Sequence, residues 1–130
     1  MVALVSLRRN DTEEVMRVTV AGRGDVLCAH CEVAESTLAR MRGLLGRKGL
    51  AAGHGMLINP APSVMTFFMR FPIDVVFLDR ERRIVRIAES LPPWRVAGAR
   101  RAVAALELPA GTAAARGLAE GETLVLEPLE

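Results

Sequence analysis

Tyrosine and glutamine are absent from this chain, and several other residue types are scarce. There is one tryptophan (Trp94), one lysine (Lys48) among 17 basic residues, two cysteines and two histidines. Cys28-Ala29-His30-Cys31 has no second cysteine pair downstream, so the four-ligand pattern of a structural zinc site is incomplete. Long apolar runs are also missing. The most apolar stretch is broken by Arg70, Pro72 and Asp74, which excludes a membrane-spanning helix there. At the N-terminus the short apolar run precedes Arg8-Arg9. That is the reverse of the order in a secretory signal, and it predicts a cytoplasmic protein. The net charge is only +2 although the pI is near 8.9. Arginines cluster at Arg80, Arg82, Arg83 and Arg86, and again at Arg95, Arg100 and Arg101. Binding of single-stranded nucleic acid needs such patches together with exposed aromatic rings. With no tyrosine and phenylalanines expected in the core, no nucleic-acid partner is expected.

What is present is a core. At 130 residues and 51% hydrophobic content, the chain suits one domain over 1–130 that folds without staples. Residues 66–79 hold four of the five aromatic residues, together with Arg70 and Asp74. A carboxylate in such a run is costly unless it is paired or hydrogen-bonded, so Asp74 is expected to have a specific partner.

Alternation of apolar and polar residues predicts a half-buried strand over 15–21, a turn at Gly22-Arg23-Gly24-Asp25 and a second strand over 26–34. In the second strand, Leu27, Ala29, Cys31 and Val33 are expected on one face. Further strands are predicted over 56–58, 64–69, 74–78, 83–88, 102–108 and 123–127, with a turn over 79–82. A polar break at Arg9-Asn10-Asp11-Thr12 leaves 1–12 loosely held. Two short helices are predicted. One runs over 37–46 from an N-cap at Ser36, with Leu38, Met41, Leu44 and Leu45 on its apolar side. The other is Ala-rich, capped by Thr112 and ended by Gly117. The expected fold is a β-rich α+β domain, mostly antiparallel, with a partly closed sheet or barrel.

Several motifs, in order, resemble the family named domain of unknown function 192. They are Arg42-Gly43-Leu44-Leu45-Gly46-Arg47, Gly55-Met56-Leu57, Phe68-Met69 followed by Ile73-Asp74-Val75-Val76-Phe77-Leu78-Asp79, Leu106-Glu107-Leu108-Pro109-Ala110-Gly111, and Gly117-Leu118 with Gly121. The resemblance spans about 26–127. It implies a compact β-rich domain with a few short helices and no established biochemical activity. Many relatives carry an export signal or a membrane anchor, which the N-terminus here does not resemble. The subgroup most similar to this chain often places Cys and His in its Ser-Val-His-Thr-Phe region. Ala61 and Met65 stand at those positions here, so thiol–imidazole or metal chemistry is not carried over by the resemblance.

Individual residues leave alternatives open. On an extended strand, Cys28 and Cys31 would point to opposite faces roughly 10 Å apart, beyond disulfide reach. They read as ordinary reduced cysteines, with metal binding beside His30 or His54, or redox chemistry, as lesser readings. His54 lies between two glycines, which lets backbone approach a ligand closely. Asp74 and Glu107 are the carboxylates of interest. If they converge they can act as general acid and base; otherwise each makes a structural ion pair with Arg42, Arg47 or Arg70. Arg42 and Arg47 offer planar donor forks for carboxylate or phosphate, while Arg47 also suits a helix C-terminus. Trp94, after Pro92-Pro93, is the expected exposed aromatic contact.

The leading expectation is a binding module for a small polar or anionic ligand, using Arg42, Arg47, Asp74, Glu107 and Trp94. No metal or cofactor is called for. The rivals are a hydrolase using Asp74 and Glu107, directed at sugars, and a protein-interaction domain using Trp94 and the 95–101 segment.

Overall fold

The computed structural model describes residues 15–35, 44 and 46–129. Within them are nine strands: β1 (Val15–Val20), β2 (Val26–Ala34), β3 (His54–Ile58), β4 (Ser63–Met65), β5 (Ile73–Leu78), β6 (Ile84–Leu91), β7 (Val96–Gly98), β8 (Ala104–Pro109) and β9 (Leu124–Pro128). One short helix, α1 (Thr112–Ala115), lies between β8 and β9. The class is β-rich as expected, but the described residues hold one helix, not two. The helix predicted over 37–46 falls almost wholly outside them, as do the 1–12 segment and Arg42. At α1, Gly111 occupies the cap position with φ 93° and Thr112 is already helical. No side chain caps this helix.

Seven strands form one sheet in the order β6-β5-β8-β3-β2-β1-β9. Only β2 and β3 pair in parallel; the other neighbours are antiparallel. The sheet curls until its two edge strands meet. Arg83 bridges Thr123, and the amides of Ile84 and Leu124 donate to the carbonyls of Glu122 (2.8 Å) and Arg82 (2.9 Å). Joining the edges there removes unpaired strand ends at that point.

β5 is buried at all six positions, which explains its unbroken apolar run. A strand covered on both faces need not alternate. On its inner side Val76 and Leu78 join Val18, Leu27, Leu57, Ile84, Leu106 and Leu124, a cluster drawing on all seven strands. This is the interior of the curl. On its outer side Ile73, Val75 and Phe77 join Met56, Ile58 and Ala105. That outer layer is covered by a separate two-stranded sheet, β4–β7, which contributes Val64 and Ala97, and by Leu44 and Met69. Strand β7 was not anticipated, because 95–101 reads as an arginine-bearing connection.

Candidate functional site

Asp74 is buried and faces the interior of the curl. Its register partner is Leu108, an interior residue. Its Oδ1 accepts the Ser90 amide at 2.8 Å and its Oδ2 accepts the Ala113 amide at 2.8 Å. Ser90 lies in an irregular stretch of β6, where the pairing with β5 shifts register and φ is 48°. Ala113 is in the first turn of α1, where amides have no intrahelical acceptor. The carboxylate thus ties a bulged strand and a helix start to the central strand. Among the described residues its partners are backbone amides; Arg42, one of the arginines expected to pair with it, lies outside them.

Glu107 turns the other way. Glu32, Met56, Glu107, Val75 and Ala88 make one continuous cross-strand row over β2, β3, β8, β5 and β6. Met56, Val75 and Ala88 belong to the outer layer. Asp74 and Glu107 therefore lie on opposite faces of the sheet and do not flank a common bond, as a paired-carboxylate hydrolase requires. Glu107 is 4% exposed and has no hydrogen-bonding partner for its carboxyl among the described residues. Burial pushes its pKa up to about 7, opposed in part by the charge of Arg47.

Arg47 reaches the same face. Its Nη1 and Nη2 donate to Glu32 Oε2 (3.1 Å) and Oε1 (2.9 Å), a two-pronged pair. That bond holds Arg47 more firmly protonated than an isolated guanidinium, although partial burial opposes it. Two residues before Glu32 and Met56 on their strands, His30 and His54 are register partners. Their ring centroids are 4.6 Å apart. Of the expected set, Arg47 and Glu107 come together, and Asp74 is separated from them. Glu32 is the unforeseen member of the group, and the placing of His30 and His54, weighed only singly from the sequence, beside each other is new. The one signal for them in sequence was equal spacing: His30-x-Glu32 and His54-x-Met56 place period-2 neighbours on one face once β2 and β3 are paired.

Trp94 is exposed as expected, at 54%, and it has company. Phe67 stacks on it at 5.5 Å, and Phe68, 70% exposed, meets it at 4.6 Å. Met65 and Val96, partners across β4–β7, are exposed beside them. Most phenylalanines were expected in the core, yet Phe67 and Phe68 are exposed. Phe68 and Trp94 both adopt left-handed backbone, φ 66° and 67°, a conformation that costs about 1–2 kcal/mol for a side-chain-bearing residue. The fully buried Thr66 holds both loops in place. Its hydroxyl donates to the Pro92 carbonyl (2.7 Å) and accepts the Arg95 amide (2.9 Å). Its own carbonyl accepts the amides of Met69 and Trp94. The arginine clusters of the sequence meet elsewhere: Arg80 and Arg83 line a groove of about 760 Å³ with Arg100 and Arg101. That groove lies at the Ile84 end of β6 and Trp94 at the Leu91 end, so 95–101 does not present a single surface.

Cys28 and Cys31 are both free and buried, and both face the interior. The register slips between Val18↔Cys28 and Met16↔Cys31, which marks a bulge. An extra residue on one strand turns both thiols to the same side. Leu27, Cys28 and Cys31 point inward while Ala29 is exposed, correcting the simple alternation. The Cys28 thiol donates to the Gly53 carbonyl (3.5 Å) and the Cys31 thiol to the Glu32 carbonyl (3.6 Å); the interaction of the two thiols lowers the Cys28 pKa and, with burial, raises that of Cys31. Among the described residues no three His, Cys, Asp or Glu side chains gather as a metal site.

These features sit on a chain of identifiable kinship. Residues 17–126 match DUF192, described as Uncharacterized ACR, and the chain belongs to that family. It is similar to a protein of unknown function from Novosphingobium aromaticivorans DSM 12444, at 25% identity and TM-score 0.76. That match covers 85% of this chain and 84% of the other. It is also similar to a Sinorhizobium meliloti 1021 protein described provisionally as a transcription regulator. There the identity is 29% and the TM-score 0.75, over 87% of this chain and 92% of the other. No curated protein matches the chain. No helix of the described residues is long and apolar enough to cross a membrane.

Proposed function

We propose that the protein is a binding module for a small polar ligand, held on the outer sheet face at Glu107. One observation carries this reading: a carboxyl 4% exposed, with no hydrogen-bonding partner among the described residues. Buried polar groups in folded proteins are almost always satisfied, and exceptions mark sites for water, ligand or chemistry. With a pKa near 7, this carboxyl offers a donor or an acceptor at neutral pH. Both terminal nitrogens of Arg47 are already engaged by Glu32, so the described residues offer an anion little free positive charge there. The ligand that fits is neutral and carries hydroxyl or amide groups.

Thermal-shift measurements with neutral polyols, sugars and amides, beside carboxylates and phosphates, test this reading. A neutral compound should raise the melting temperature of the native protein and have no effect on Glu107→Leu, which removes the carboxyl without creating a cavity. A response equal in both proteins, or confined to anions, would count against it.

A second reading is favoured by the exposed Met65, Phe67, Phe68, Trp94 and Val96. Contiguous apolar surface of this kind, on strained backbone, is typical of interaction sites. In that reading Trp94→Ala abolishes capture of a protein partner and leaves the response to polar compounds intact.

A further inference from the structure

We infer that His30 and His54 form a two-histidine clip for a divalent transition-metal ion. They are the only two histidines in the chain. They come from separate strands, yet the parallel register of β2 and β3 sets them side by side. Their rings are tilted by 34° with centroids 4.6 Å apart. Two imidazoles sharing one ion at about 2.0–2.1 Å, with a near-right-angle bite, stand with centroids roughly 4.5–5 Å apart. Both side chains are exposed, so an ion reaches them without opening the fold. Their backbones are fixed: the His30 amide donates to the Gly53 carbonyl and the His54 amide to the Ala51 carbonyl, each at 3.0 Å.

The clip is incomplete as a protein site, and that defines its character. The nearest carboxylate on the same face of β2, Glu32, is committed to Arg47. Water completes the coordination, so the ion exchanges and keeps open positions for another ligand. Imidazole donors suit zinc, nickel and copper better than magnesium or calcium. The two thiols lie on the opposite side of β2, buried in the interior, and do not compete. This inference is independent of the polar-ligand reading of Glu107.

Titration calorimetry of untagged protein with nickel(II) chloride tests it. The native protein should bind one equivalent. His30→Ala and His54→Ala, both exposed substitutions, should each weaken binding at least about tenfold. The Cys28→Ser/Cys31→Ser double variant, checked for folding, should bind as the native protein does. Binding that survives either histidine substitution, or that disappears only with the thiols, would overturn the clip, as would absence of binding to the native protein.

Discussion

Asp74 and Glu107 sit on adjacent hydrogen-bonded strands, offset by one residue in register, and so point to opposite faces of one sheet. The offset divides their roles. Asp74 accepts two backbone amides, from Ser90 in β6 and Ala113 in α1. Glu107 accepts none among the described residues, which leaves it available.

Asp74→Asn should therefore destabilise the fold. An amide keeps one acceptor but aims its NH2 group at the second backbone N–H. Losing one charge-assisted bond and leaving a buried amide unpaired costs about 2–4 kcal/mol. Urea denaturation reads this directly. A variant as stable as the native protein would remove Asp74 from its structural role.

Glu107 should make stability depend on pH. Its folded pKa of about 7 lies above the unfolded value of about 4.3, so the folded state binds more protons between these values. Stability then falls as pH rises from about 4.5 to 7 and levels off above. The full change is on the order of 4 kcal/mol. Glu107→Gln should abolish this slope and melt higher than the native protein at pH 8, with a smaller gain at pH 5. Parallel melting curves across that range would contradict the assignment.

The aromatic platform should separate strain from support. Phe68→Gly removes an exposed ring from left-handed backbone and is expected to leave stability unchanged or raise it by up to about 1 kcal/mol. Thr66→Val strips the bonds to Pro92 and Arg95 and should cost about 2 kcal/mol. Chemical denaturation of the pair should show these opposite signs.

Gly55 should tolerate no side chain. A methyl group there would stand 2.9 Å from the Glu107 carbonyl, 3.0 Å from Cys28 Sγ and 3.0 Å from Leu108. Two of these neighbours are packed in the interior and the third is backbone. Gly55→Ala is expected to lose about 1–3 kcal/mol by overpacking, measurable as a lower denaturation midpoint.

The sequence made the strands legible because β1, β2, β5 and β8 each show their burial as alternation or as an unbroken apolar run. It did not reveal the bulge at Ala29–His30, since one inserted residue has no signature in a polar–apolar pattern, and so the inward pairing of Cys28 and Cys31 was missed. The buried carboxylates were legible as anomalies. The partners of Asp74 were not, because backbone amides carry no residue code. Exposure of Phe67 and Phe68 was equally hidden: left-handed backbone at Phe68 turns out a residue that composition assigns to the core. The meeting of His30 with His54 depended on a parallel pairing of strands separated by residues 35–53, which no local pattern dictates.

Glu107 is the proposed point of attachment for small polar molecules. The most direct test is a backbone amide NMR titration of the native protein with a library of neutral polyols, sugars and amides. Binding at Glu107 should give saturable shifts that converge on Met56, Val75 and Glu107 and vanish in Glu107→Leu. Shifts scattered over the surface, or centred on the Arg100–Arg101 groove and indifferent to Glu107→Leu, would contradict it.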